Sequence, residues 1–163
     1  MIASGIQLLL KNIPLVMLVA ALVIASLRSE PDHAPTRFLN WLLLLSIGVE
    51  STWGGFFHVF FPHIASAQIG WEPSPFEFEI GISDMALGLT AIASFWRSLS
   101  FKSAVVAMAT LSYAGVLIGH VQQAMAGDFA PDNMGILQAI TLLHVILMPT
   151  LLYLSWKARS EHI

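Results

Sequence analysis

Glu50, His58, Glu79, Asp84, His120 and His144 all lie within apolar runs long enough to cross a bilayer. A charge at mid-membrane costs at least ~2.5–3.5 kcal/mol on insertion scales, so ionisable groups there are candidates for function before packing. Carboxylates with imidazoles support two chemistries. They can ligate a metal ion through oxygen and nitrogen, or pass a proton from group to group. The chain has no cysteine. That removes disulfides, thiolate metal sites, iron–sulfur clusters and cysteine nucleophiles, and leaves iron or zinc as the metals best suited to the donors present.

The elements that must position these residues follow from hydropathy. The composition is 56% apolar and 10% charged, far from the ~25% charged residues usual in a soluble domain. Runs of roughly 20 apolar residues predict an all-α fold, a polytopic membrane bundle of five transmembrane helices spanning about 13–28, 38–61, 75–96, 101–126 and 133–156. Residues 1–163 then form a single transmembrane domain. Lys11 with the short apolar run after it also fits a signal peptide, but no convincing small-x-small cleavage site follows, and the span is expected to be retained. The connections Ser29–Arg37, Pro62–Ser74, Arg97–Ser100 and Gly127–Asp132 carry the Pro, Gly and acidic residues of helix boundaries. No internal repeat is visible, which argues against a transporter built from inverted halves.

With five spans, Arg28, Arg37, Arg97, Lys102, Lys157 and Arg159 share one side, and Lys11 faces the other. The positive-inside rule predicts a bacterial inner-membrane protein with a cytoplasmic carboxyl terminus and an external amino terminus. Trp71 suits the outer interface, Trp96 and Trp156 the inner one. A rise of 1.5 Å per residue then sets depth. His58, Glu79 and His120 lie roughly 6–9 Å in from the outer ends of their spans, and Glu50, Asp84 and His144 roughly 15–18 Å deep. No ionisable residue continues into the cytoplasmic half, so the polar groups describe a pocket entered from outside, not a pore.

On the second span, Glu50 and His58 differ by about 80° and border one face. On the third, Glu79 and Asp84 are about 140° apart and do not serve one ligand. Tyr113 and Gln123 flank the His120 face. Pro149 cannot donate to the carbonyl of Val145, which loosens the backbone beside His144. The small-residue pairs Gly115/Gly119 and Gly81/Gly88 permit close helix approach, inside the bundle or across a dimer. Ser74-Pro75-Phe76-Glu77 reads as a capping box, so Glu77 is expected to cap a helix. Asp132 is likewise expected to cap the fifth span.

His58-Val-Phe-Phe, Ile69-Gly70-Trp71, Ser74-Pro75-Phe76-x-Phe78-Glu79-x-Gly81, Gly119-His120-x-x-Gln123 and Gly127-x-Phe129-Ala130-Pro131-x-Asn133 resemble an uncharacterised family of small bacterial integral membrane proteins. The likeness covers spans two to five and brings no established activity. It implies that His58, Glu79 and His120 are the family's polar positions, with the Gly127–Asn133 turn beside them.

The sequence therefore predicts a metal site of His58, Glu79, His120 and His144 in the outer half of the bundle. Glu50, Asp84, Gln123 and Tyr113 would support it or relay protons. A metal-dependent enzyme acting on a lipophilic or small substrate is one function such a site would serve. The alternatives are an ion, metal or solute transporter, and a non-catalytic subunit assembling with itself or another membrane protein. Nucleic acid is excluded as a partner, because the seven basic residues form no binding patch; anionic headgroups of the bilayer are the natural contact for them.

Overall fold

The computed structural model describes residues 12–28, 33–68, 72–129 and 131–161. Lys11 and Trp71, which the topology reading placed on the outer side, lie outside the described residues. All regular elements among the described residues are helices: α1 Ile13–Leu27, α2 Ala34–Phe60, α3 Pro62–Gln68, α4 Glu77–Ser94, α5 Leu99–Met125, α6 Pro131–Met134 and α7 Ile136–Ser160. By length and composition α2, α5 and α7 are able to cross a membrane. α1 has only 15 residues, and α4 carries Glu77, Glu79 and Asp84 within its 18.

The surface of these helices is the reverse of a soluble protein's. In their most apolar windows only 22–39% of residues of α2, α5 and α7 are buried, and Leu111, Met125 and Tyr153 stand outward. Contiguous apolar exposure on that scale calls for lipid or a partner to cover it. Trp53, Phe56, Phe57, Phe60 and Phe61 cluster along the end of α2 with centroid separations of 4.8–5.9 Å, within the range of favourable aromatic pairs.

α2 is the hub, packing against α1, α4 and α7, while α5 leans on α7. Its tightest partner is α4, and glycine sets that closeness. A Cβ on Gly55 would come within 2.7 Å of the Met85 backbone nitrogen, and one on Gly81 within 2.8 Å of the Gly55 carbonyl oxygen. Gly81 and Gly88 therefore serve internal packing. Gly115 and Gly119 meet nothing within 4 Å and face outward.

Residues Leu42–Val49 within α2 form a π-helical stretch, where the i→i+5 pattern widens the turn. The apolar core gathers beside it: Leu39, Leu42, Leu43 and Ile47 from α2, Val106 from α5 and Met148 from α7 are almost fully enclosed. It lies toward the half of the bundle nearer the basic residues.

The basic residues at that end hold helix termini. Lys102 Nζ, buried, donates to the carbonyls of Ser94 at 2.7 Å and Phe95 at 3.3 Å and also to Arg97. A cation there completes the open carbonyls and the negative pole at the end of α4. Arg37 Nε does the same for α1 through the Ala25 carbonyl at 2.7 Å.

Candidate functional site

His58 and Glu77 meet across the α2–α4 seam, Nδ1 against Oε2, with side chains 20% and 11% exposed. The capping-box expectation for Glu77 is corrected by this contact. α4 starts at Glu77 with no side-chain cap, and Ser74 instead turns the chain ahead of it: its hydroxyl accepts from the Phe76 N–H at 3.1 Å and its carbonyl from the Glu77 N–H at 3.1 Å. Freed from the cap, the Glu77 carboxylate finds the imidazole that the glycine seam brings close. Glu79, two residues on and roughly 200° round the helix, is exposed.

His120 belongs to a different construction. Its Nδ1 bonds Asn133 Oδ1 at 2.7 Å, while Asn133 Nδ2 donates to the carbonyls of His120 at 3.2 Å and Asp128 at 2.8 Å. Asn133 is fully enclosed. Together they close the turn around Gly127, whose φ of 108° favours glycine. The fifth long helix starts only at Ile136, behind Gly135, so Asp132 lies in α6 and not at the N-cap of the span. Gln123 is exposed, and its carbonyl accepts from the Asp128 N–H at 3.0 Å.

The deeper residues do come together. The Tyr113 hydroxyl of α5 donates to Glu50 Oε2 at 3.3 Å and shares a 3.0 Å bond with Ser51 Oγ, which lies 3.5 Å from the same carboxylate. On the other side of the phenol ring sits His144 of α7, centroids 5.7 Å apart, with its Nε2 bonded to Ser46 Oγ at 2.8 Å. Ser46 lies in the π stretch and Glu50 and Ser51 directly follow it, so the widened turn presents all three near one another. His144 and Glu50 thus belong to one cluster bridged through Tyr113. Asp84 of α4 lies within electrostatic reach of both Glu50 and His58. Two contact groups result, Glu77 with His58, and Glu50 with Ser51, Tyr113, His144 and Ser46. The apolar plug of Leu42, Leu43, Ile47 and Met148 flanks Ser46 and His144 along α2 and α7.

The quartet His58, Glu79, His120 and His144 is not assembled: among the described residues no group of three or more His, Asp or Glu stands ready to hold a metal ion. Sequence reasoning missed Glu77 and Asn133, and also Gln138 of α7, which is buried with neither end of its amide partnered among the described residues. The motif reading could have found Asn133, since it closes the Gly127-x-Phe129-Ala130-Pro131-x-Asn133 run; Gln138 carried no signal beyond being an amide in an apolar helix.

No curated protein and no solved structure matches the chain. The model of a family of unknown function, DUF6790, matches residues 11–161, and the chain belongs to that family.

Proposed function

We propose that the chain is a five-span protein of the bacterial inner membrane, carboxyl terminus inside, whose interior holds a cation at a blind polar site. The site opens toward the outer face and stops at mid-membrane. The observation that carries this reading is the hydrogen-bonded cluster of Glu50, Ser51 and Tyr113 within the bundle, with Asp84 on the helix that packs against α2 along the glycine seam. Two carboxylates in a low-dielectric interior demand a positive partner or protons, and every described Lys and Arg lies toward the far end of the bundle. A divalent metal, iron or zinc, satisfies both carboxylates at once, with His58 as an imidazole ligand and Tyr113 and Ser51 orienting Glu50. Closing on a metal takes side-chain rotation, because the ligands are not preassembled. This shifts the expected ligand set from Glu79 and His120 toward Glu50 and Asp84. A metal held there from one side would suit a membrane enzyme better than a conduit, since the plug blocks onward passage.

A proton is the second reading, favoured by the hydrogen bonds that join Ser51, Glu50 and Tyr113. Elemental analysis of detergent-purified protein after dialysis separates the two. Metal in near-stoichiometric amount supports the first reading. Metal-free protein whose carboxyl infrared band titrates, and loses that titration in Glu50→Gln, supports the second; neither signal would sink both.

A further inference from the structure

We propose that the basic end of the bundle carries a binding site for a phosphate-bearing anion, held by Arg97 and Arg159. A cavity of about 550 Å³ opens there between the start of α2, the α4–α5 turn and the end of α7. Its lining includes His33, Arg97, Lys102 and Arg159, and no carboxylate is among the described residues that line it. Lys102 is already committed to the carbonyls that end α4, so it forms a fixed positive floor. The arginines are differently placed. Arg159 stacks its guanidinium over the Trp156 ring at 5.9 Å, and a stacked guanidinium keeps its N–H edge available for bidentate contact with phosphate oxygens. Arg97 is exposed, and its side chain makes no hydrogen bond to any described residue. Two forks facing one cavity, above a buried ammonium, match the tetrahedral, multiply accepting shape of phosphate better than a planar carboxylate.

The same chemistry is offered by an anionic lipid headgroup and by a free phosphate compound. Basic pockets between membrane helices at this level are suited to headgroups, and Phe95 and exposed Trp96 at the rim add surface for acyl chains or glycerol. The cavity shares no described lining residue with the carboxylate cluster, so it stands or falls independently of the cation reading.

Native mass spectrometry of the detergent-purified full chain, titrated with phosphatidylglycerol, phosphatidylcholine or inorganic phosphate, tests it. Preferential retention of phosphatidylglycerol over phosphatidylcholine is expected, weakened about five-fold by each of Arg97→Gln and Arg159→Gln. Lys157→Gln removes an exposed charge at the same level outside the cavity and is expected to leave retention unchanged. Arg97→Lys and Arg159→Lys keep charge but lose the fork, and are expected to fall between. Retention of inorganic phosphate at the same arginines assigns the site to a soluble phosphate compound. Equal binding by the double glutamine variant and the wild type, or no preference for either phosphate probe over phosphatidylcholine, would overturn the proposal.

Discussion

Glu77 shows how a side chain's role depends on what lies across from it. The local pattern Ser74-Pro75-Phe76-Glu77 fits a cap, yet the carboxylate turns to His58 on another helix. His58→Ala leaves that buried carboxylate without its partner and is expected to destabilise the protein by about 1–3 kcal/mol in a denaturation assay; an effect under ~0.5 kcal/mol would return Glu77 to the capping role. Asn133→Ala removes the bonds that close the turn onto His120 and is expected to cost a similar ~1–3 kcal/mol. Gln138 points the opposite way. With both amide ends unpartnered among the described residues in a buried position, Gln138→Leu is expected to hold or raise thermal stability. A marked loss would mean that the amide contacts something the bundle binds. Which residues are polar was legible in the sequence. Which imidazole meets which acid was not, because pairing depends on the rotation of each helix and on contacts far apart along the chain.

At the level of elements, hydropathy alone located the long helices well: residues 75–96 were expected and Glu77–Ser94 is seen, 101–126 against Leu99–Met125. The π stretch at Leu42–Val49 left no trace in composition, since LLLLSIGV is equally good α-helix. Its presence is a packing outcome, and it brings Ser46 toward Glu50 and Ser51. The short helix α3 was likewise hidden in what read as a loop. Glycine spacing gave a mixed signal. Gly81 and Gly88 proved to be seam residues, and Gly115 and Gly119 did not, though both pairs look alike in sequence. Gly55→Val is therefore expected to be destabilising by about 1–3 kcal/mol through backbone separation of α2 and α4. Gly115→Ala, entering open space, is expected to be neutral or slightly stabilising. Equal effects in a parallel thermal-shift measurement would remove the seam from the account of how Glu50 and Asp84 meet.

For the whole molecule, the five-span reading rests on α1 and α4, the two helices that fall short by length or charge. The chain's lack of cysteine makes single-cysteine labelling a clean test. With five spans, Ser98→Cys and Glu161→Cys label from one side of sealed vesicles and Gln68→Cys from the other. Were only α2, α5 and α7 to cross, Ser98→Cys would label together with Gln68→Cys. The all-helical character of the bundle was readable from hydropathy. The basic cavity was not, because it is made by a turn and two helix ends that converge only in the folded chain.

The most direct test of the cation site is the metal content of four purified proteins compared side by side: wild type, Glu50→Gln, Asp84→Asn and Glu79→Gln. About one iron or zinc per chain is expected in the wild type and in Glu79→Gln, with loss in the other two. Retention of metal by Glu50→Gln and Asp84→Asn, together with its loss in Glu79→Gln, would contradict a site centred on Glu50 and Asp84.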